Sequence, residues 1–238
     1  MLKADLHTHT KGDPFDDLQY TPKDLIKLAA KQKFEVLSFT WHNKICDPKP
    51  LQSFAKKYGI LLIPGIEATI SGKHTLLYNI TNKEMKKVKT HDDLYDLKDH
   101  VVIGAAHPFF ILPQCLGRKV FEHPKLFDFM ETSHLYFKHF NLNKKAYSTA
   151  KKFNIPVVAN SDVHYLSMFG KDYTMIDAGK NKDDILDAIK SGKRINPITK
   201  PYSLKNFTKS VVTFAPAGVK FLLTKRRMEK KGFSSLYT

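Results

Sequence analysis

The chain has 238 residues, of which 42% are hydrophobic, and its formal net charge is +16. This composition is enough for a folded core, and no apolar run approaches the roughly 20 residues that a transmembrane helix needs. The two cysteines, Cys46 and Cys115, are too few for a disulfide framework. The sequence therefore argues against a membrane-spanning protein and a disulfide scaffold. Because no signal peptide is recognisable, we expect a cytoplasmic location.

Three helices are clearly signalled along the chain. Thr21 is a candidate N-cap in front of an apolar stripe. A second capped helix is predicted over residues 181–191, with Asn181 as the N-cap and Gly192 as the residue that ends it. A third helix is predicted over residues 143–153.

Eight short apolar runs predict β-strands around these helices. Because the runs are continuously apolar and helical patterns separate them, they indicate a parallel sheet or barrel that is buried on both faces. The runs are residues 3–6, 35–40, 60–66, 75–80, 101–106, 126–132, 156–161 and 173–178.

Residues that can ligate a metal follow most of these runs. In a parallel barrel the carboxyl ends of the strands share one face, which is where such folds carry out chemistry. Burying unpaired His, Glu or Asp is costly, so core packing gives no reason for this pattern. The residues are His7, His9, His42, Glu67, His107, Glu131, Asp162 and His164.

The remaining histidines of interest form two sets. His74 begins a strand, but the turn before it can fold it back over the face that carries the strand ends. The other set lies in polar or helical surroundings, which predicts surface positions. Its members are His91, His100, His123 and His139.

A mixed set of imidazole and carboxylate groups favours Zn, Mn or Fe over Mg or Ca. The candidates exceed what one tetrahedral ion needs, and a carboxylate such as Glu67 can bridge two ions. Clustered ions suit phosphate-ester hydrolysis, because they generate hydroxide near neutral pH and hold phosphoryl oxygens in line. The sequence has no serine or cysteine nucleophile motif and no Gly-rich phosphate loop. We therefore expect a cofactor of two or three divalent ions.

Seven motifs resemble those of the PHP (polymerase and histidinol phosphatase) superfamily in order and rough spacing. The resemblance covers about residues 1–197. It implies an α/β fold, a distorted (β/α)7 TIM-like barrel of the PHP type, with up to three metal ions at its C-terminal face. It also implies phosphoesterase chemistry on phosphomonoesters or nucleotides. The motifs are DLHTHT (5–10), FTWHN (39–43), PGIEAT (64–69), HTLLYNI (74–80), AAHPF (105–109), METSH (130–134) and NSDVH (160–164).

Carried over by position, the resemblance assigns ligands to three ions. Two positions depart from the family pattern: Trp41 stands where an Asp is usual, and the stretch KGDPFDD replaces a Ser-Asp-Gly. In that stretch Asp13 is the chosen acid for the third ion and Asp16 is the alternative. Glu131 fits an acidic strand-end position of the family whose role is open between a ligand, an orienting acceptor and a substrate contact, and it is not included in the metal set. The first ion is assigned His7, His9, Glu67 and Asp162, the second Glu67, His74 and His107, and the third His42, His164 and the acid.

The predicted function is that of a metal-dependent phosphoesterase, either histidinol-phosphatase-like or a nucleotide phosphatase or exonuclease. Glu67 and Asp162 would hold the ions that activate hydroxide, and His164 or another exposed histidine of the ligand set would protonate the leaving oxygen. Arg118 is either a phosphate clamp or an ordinary surface arginine. The partner would be a phosphorylated small molecule or a nucleic-acid end. The alternative is a PHP-like nucleic-acid-binding protein without catalysis, which the charge favours and the nearly complete ligand set disfavours.

Two units are predicted, a barrel domain over residues 1–199 and a basic C-terminal extension over residues 200–238. The extension has nine Lys or Arg and one acid, which is half of the net charge of the chain. It either binds a polyanion or packs as a surface helix on the barrel. The sequence does not predict an oligomeric state.

Overall fold

The structure, a computed structural model, describes residues 1–132, 136 and 141–201. Each predicted strand run contains a strand, and all three predicted helices are confirmed. The strands are β1 Leu2–Thr8, β2 Val36–Phe39, β3 Leu61–Leu62, β4 Gly65–Ile70, β5 Lys73–Tyr78, β6 Val102–Ala105, β7 Phe129–Thr132, β8 Val157–Ala159, β9 Tyr173–Ile176 and β10 Ile195–Ile198. The helices are α1 Pro22–Lys31, α2 Lys49–Lys57, α3 Asn82–Met85, α4 Lys119–Glu122, α5 Asn143–Phe153 and α6 Lys182–Ser191, with a 3-10 helix at Asp92–Leu97.

The ends of α1 and α6 follow ordinary capping chemistry. At α1 the Thr21 hydroxyl accepts a hydrogen bond from the Asp24 amide, and the Asp24 carboxylate accepts one from the Thr21 amide. At α6 the Asn181 side chain accepts from the Asp184 amide. The helix ends at Gly192, whose φ of 64° is one that glycine adopts without strain. Local sequence therefore sets the bounds of these helices.

The strands form two five-stranded sheets, ordered β10-β9-β1-β2-β3 and β4-β5-β6-β7-β8. β5 and β9 run antiparallel to both of their neighbours, so the expectation of a purely parallel arrangement is wrong. A short bridge between His42 and Glu67 joins the end of β2 to β4. The α/β class is confirmed, whereas strand pairing within the described residues does not confirm a closed (β/α)7 barrel.

Proline lies at two departures from the predicted strands. The run 60–66 divides into β3 and β4 at Pro64, since proline cannot donate a ladder hydrogen bond. β10, which contains Pro197, is not among the predicted strands. It is an edge strand of its sheet, a place where proline is tolerated.

One buried apolar cluster joins the two sheets beneath the strand ends. Leu6 of β1, Tyr78 of β5 and Phe129 of β7 belong to it. The Tyr78 hydroxyl donates to the Leu6 carbonyl at 2.7 Å. Gly104 of β6 provides space for the Phe129 ring, because a Cβ at this position would lie 2.0 Å from it. This packing holds the two sheets together beneath the polar side chains at the strand ends.

The histidines expected at the surface have different outcomes. His100 is exposed, as predicted, and His123 is half-buried. The prediction for His91 is wrong, because its side chain is buried with Nε2 3.2 Å from the Thr75 hydroxyl. His139 and the basic extension beyond Pro201 lie outside the described residues. In the described part of the chain, no helix has both the length and the apolar character needed to cross a membrane.

Candidate metal centre

Six histidines and five carboxylates meet near the carboxyl ends of the strands. Every metal ligand predicted from the sequence is among them, although the strand positions differ from the expected ones. His7 lies inside β1 and Glu67 inside β4, not beyond the strand ends. The members of this cluster are His7, His9, His42, His74, His107, His164, Asp13, Asp16, Glu67, Glu131 and Asp162.

Backbone strain marks two of the strand ends. His107 follows β6 and Asp162 follows β8 with positive φ angles of 27° and 44°. Residues other than glycine rarely adopt such angles, and they cluster at functional sites. Both side chains reach the centre, where His107 Nε2 lies 3.9 Å from Asp162 Oδ2.

His74 joins the centre because β5 reverses direction. β5 pairs antiparallel with β4, which places His74 opposite Thr69 near the carboxyl end of β4. A strand that runs in the opposite direction begins at the edge where its neighbour ends. His74 Nδ1 lies 2.8 Å from Glu67 Oε1, in agreement with the expectation that it folds back over this face.

Glu67 lies at the middle of the centre, and its two oxygens face different ring nitrogens. Burial opposes ionisation, but His74 and His7 hold the pKa of Glu67 well below its ordinary value. The carboxylate is therefore charged in a site almost closed to water. Oε1 lies 2.8 Å from His74 Nδ1 and 3.1 Å from His107 Nε2, and Oε2 lies 3.0 Å from His42 Nε2, 3.4 Å from His7 Nε2 and 3.4 Å from His9 Nε2.

Asp162 faces the same histidines from the other side. Its Oδ1 lies 3.2 Å from His9 Nε2 and 3.4 Å from His7 Nε2. Burial would raise the pKa of Asp162, but His7 and His164 outweigh burial and lower it well below its ordinary value. Burial would likewise lower the pKa of His164, yet Asp16 and Asp162 raise it to about 9.

A hydrogen bond at Nδ1 orients five of the six histidines. A ring nitrogen that donates its proton leaves the lone pair on the other nitrogen, which can then bind a cation. Nε2 is accordingly the atom that faces the central carboxylates in these rings. The Nδ1 donors and their acceptors are His7 to Glu131, His9 and His42 to Asp13, and His164 to the Asp162 carbonyl, at 2.8 to 3.0 Å. His107 Nδ1 lies 3.3 Å from the Cys115 sulfur.

Asp13 and Asp16 have different roles in this geometry. Asp13 Oδ2 accepts from His9 Nδ1, His42 Nδ1 and the His42 amide, and Oδ1 accepts from the Phe15 amide. Both oxygens of Asp13 are thus engaged by N–H donors. Asp16 Oδ2 instead lies 3.1 Å from His164 Nε2 and 3.4 Å from His42 Nδ1. Asp16, the alternative, is the one with an oxygen among the potential ligand atoms, and the choice between Asp13 and Asp16 stays a prediction.

Glu131 is an orienting acceptor. Its Oε1 accepts from His7 Nδ1 at 2.9 Å and from the Asn160 amide group at 2.8 Å. Its Oε2 accepts from the His107 backbone amide at 2.9 Å. Asn160 is also bound to the Leu6 amide through its side-chain oxygen. Sequence reasoning missed Asn160 and Cys115; Asn160 directly precedes the Ser-Asp motif, but no local signal distinguishes Cys115.

The donor set fits divalent cations. His74 Nδ1 and Asp16 Oδ2 are buried, and their approaches to Glu67 Oε1 at 2.8 Å and His164 Nε2 at 3.1 Å do not have hydrogen-bond geometry. His7 Nε2 and His9 Nε2 face each other at 3.1 Å between carboxylates. Nitrogen and oxygen lone pairs that converge in this way suit Zn, Mn or Fe. The groups whose ligand atoms lie within 4.8 Å of one another are His9, Asp16, His42 and His164; His7, Glu67 and His107; His7, His9 and Asp162; and His42, Glu67 and His74.

Arg118 and Trp41 are not members of this cluster. Arg118 is exposed and directly precedes α4, so its role as a phosphate clamp stays a prediction. The Trp41 indole donates to the Thr10 hydroxyl at 3.0 Å and packs on Gly12, where a Cβ would lie 2.7 Å from the ring. Trp41 therefore supports the loop that carries Asp13 and Asp16.

The fold and the centre define an α/β protein with a histidine–carboxylate cluster near its strand ends that could hold metal ions. The family model described as the PHP domain matches residues 5–159, and the PHP-associated model matches residues 141–194. Together these matches cover most of the chain. The first includes every member of the centre except Asp162 and His164, and the second includes those two. The chain belongs to the PHP family.

Known proteins with similar sequences or folds agree with this assignment. The uncharacterized protein MJ1587 of Methanocaldococcus jannaschii is 25% identical over 130 residues, which are 51% of this chain and 76% of the relative. A two-domain protein from Bacteroides vulgatus that contains a predicted PHP-like metal-dependent phosphoesterase has a TM-score of 0.65 at 18% identity, covering 83% of this chain and 64% of that chain. This chain thus spans less than two thirds of that protein.

Two further structures share the fold. PsfC from Pseudomonas syringae has a TM-score of 0.63 at 12% identity and covers 92% of this chain and 98% of its own. The lesion-specific endonuclease PfuEndoQ from Pyrococcus furiosus has a TM-score of 0.50 at 15% identity, and the match covers 90% of this chain and 66% of that chain. At such identities the likeness concerns the fold alone.

Proposed function

We propose that this chain is a metal-dependent phosphoesterase that hydrolyses a phosphomonoester, a nucleotide or an oligonucleotide end. The observation that carries the proposal is the position of Glu67 between two sets of ring nitrogens, one facing each carboxylate oxygen. A carboxylate placed in this way can bridge two cations. Two or three ions of Zn, Mn or Fe would suit the mixed donors around it.

When bound, the ions would supply hydroxide near neutral pH and stabilise charge on the phosphoryl oxygens. Glu67 and Asp162 would hold the ions and offset their charge. The side chains of Asp162 and His164 are 16% and 19% exposed, so the substrate would approach from their side. His164 either ligates the third ion through Nε2 or protonates the leaving oxygen from it, and an ion count on His164→Gln distinguishes the two roles.

The net charge of +16 favours a polyanionic substrate such as a nucleic-acid end. One structure with the same fold is endonuclease Q in complex with a 27-mer duplex that has an abasic lesion at the active site. The second candidate function is nucleic-acid binding without catalysis, which the same charge supports. The nearly complete donor set counts against it, because a binding scaffold has no need of converging ligand atoms.

The test is a screen of the full chain, stripped of metal and reloaded with Mn, Zn or Fe. Substrates would include sugar phosphates, histidinol phosphate, nucleotides and end-phosphorylated oligonucleotides. We expect turnover that requires metal and that EDTA abolishes. Tight oligonucleotide binding with no turnover in any metal would instead support the binding protein.

A further inference from the structure

Cys115 is the Nδ1 partner of His107, whereas four other histidines of the centre have an oxygen as their Nδ1 partner. Its buried sulfur lies 3.3 Å from His107 Nδ1. The other four oriented rings donate from Nδ1 to oxygens of Asp13, Glu131 or Asp162. His107 Nε2 points to Glu67 Oε1 at 3.1 Å, so the sulfur is bound on the side of the ring that faces away from the carboxylate.

The segment around Cys115 also holds the neighbouring ligand. The Gln114 carbonyl accepts from the His74 backbone amide at 2.8 Å, and the Pro113 carbonyl accepts from Lys73 Nζ at 2.7 Å. Three consecutive residues, 113–115, therefore contact the strand start at His74 and the ring of His107. These are the two histidines that face Glu67 Oε1.

We propose that Cys115 is a positioning residue that fixes His107 as a metal ligand, an inference that rests on the metal centre of the proposed function. Accepting the Nδ1 proton keeps the lone pair of His107 on Nε2. Sulfur is a weaker acceptor than a carboxylate or carbonyl oxygen. The ion that faces Glu67 Oε1 is therefore held by the least firmly oriented of the five histidines that have an Nδ1 partner, and it is the first to leave when a chelator is added.

Cys46 provides a matched control. Both cysteines are free and each is 4% exposed, so truncation removes the same buried volume. Cys46 packs in the apolar cluster beside α1 and α2 and lies outside the centre. A loss of metal that follows from general loosening of the core would affect variants of both cysteines.

The experiment is a zinc titration of the full chain in competition with a chromophoric chelator. Cys115→Val should weaken one ion by about ten- to a hundredfold and leave the others unchanged, as loss of an orienting partner does. Cys115→Ser, whose hydroxyl can accept from Nδ1, should stay within a few-fold of wild type. Cys46→Val should bind every ion as the wild type does.

Equal affinities of Cys115→Val and wild type would overturn the proposal, as would equal losses in the valine variants of both cysteines. Should Cys115→Val not fold, Cys115→Ser and Cys115→Ala decide, since the serine must retain and the alanine lose the affinity of that one ion. Wild-type protein that binds zinc but hydrolyses no phosphate ester would refute the proposed activity and leave this inference to be decided by the affinities. Wild-type protein that takes up no zinc would overturn both.

Discussion

Two groups of histidines differ in the charges around them: the six of the centre, and a second group formed by His91 and His123. In the centre, burial would lower the pKa of His7, but Glu131 and Asp162 raise it well above the ordinary value. At the second group, burial and the neighbouring His123 lower the pKa of His91 to about 4. Burial lowers the pKa of the histidine at both sites, so the nearby carboxylates decide whether the pKa is finally raised or lowered.

The second group shows what a histidine does in a core without close acids. The His91 ring stacks against the His123 ring with a centroid separation of 5.5 Å, and its Nε2 meets the Thr75 hydroxyl. The Asp92 carboxylate lies 3.6 Å from His123 but is 81% exposed. His91 is thus a neutral packing residue, whereas the centre combines six histidines with acids that compensate a cation. We expect ions at the first group only.

Removing the shared carboxylate should have the largest effect. In Glu67→Ala the ring nitrogens remain, but the acid that links both sides of the centre is lost. We expect fewer bound ions per chain and a fall in phosphoesterase activity of more than about a hundredfold. Elemental analysis and kcat/KM on the best substrate measure both, with the exposed Glu122→Gln as the control. Wild-type ion content and activity in Glu67→Ala would show that the site assignment is wrong.

Changing the orienting acid should have a smaller effect. Glu131→Gln keeps the shape but removes the charge that accepts from His7 and from the His107 amide. We expect zinc affinity to fall by about ten- to a hundredfold. Asp128→Asn, next to the same strand, contacts Lys98 and the Ile103 amide and should leave zinc affinity unchanged. If Glu131→Gln titrates like wild type, Glu131 does not support the ligands.

Substitution of Asp13 and of Asp16, the two acids of the loop after β1, should change different binding parameters. Asp16→Asn should remove one ion from the count, because Asp16 Oδ2 lies among the potential ligands. Asp13→Asn should keep the count at saturating zinc and lower the affinity, since Asp13 orients His9 and His42. Isothermal titration of both variants measures stoichiometry and affinity together. The reverse pattern would restore Asp13 as the ligand.

The last expected effect is on stability instead of metal binding and concerns His91 and the pH dependence of unfolding. The folded pKa of about 4 lies below the ordinary 6.5, so folding favours the neutral ring. This contribution is complete above pH 6.5 and is lost as the pH falls towards 4, by up to about 3 kcal/mol. In EDTA, wild type should therefore lose more unfolding free energy over this range than His91→Gln, as measured by urea denaturation.

Carboxylates of the centre titrate in both proteins and cancel in that difference. The exposed His100→Gln should follow the wild-type curve. Parallel curves for wild type and His91→Gln between pH 7 and pH 4 would show that His91 is not held neutral by the fold.

The sequence alone predicted the start of α1, the bounds of α5 and α6, the eight strand runs and the candidate ligands. These features are local, because caps depend on three or four adjacent residues and strand runs depend on continuous apolar character. The positions of ligands near strand ends follow from the same runs. The α/β class and the family could be predicted from them.

Only the tertiary structure decided which polar atoms meet. The reversal of β5 brings His74 to Glu67, and the path of the loop after β1 places Asp13 against His42 Nδ1 and Asp16 against His164 Nε2. Cys115 and Asn160 take part through contacts that no local pattern announces, such as the bond from the Leu6 amide to Asn160 across 154 residues. Hydrogen bonds act over about 3 Å, so they depend on the packed arrangement of distant segments and not on spacing along the chain.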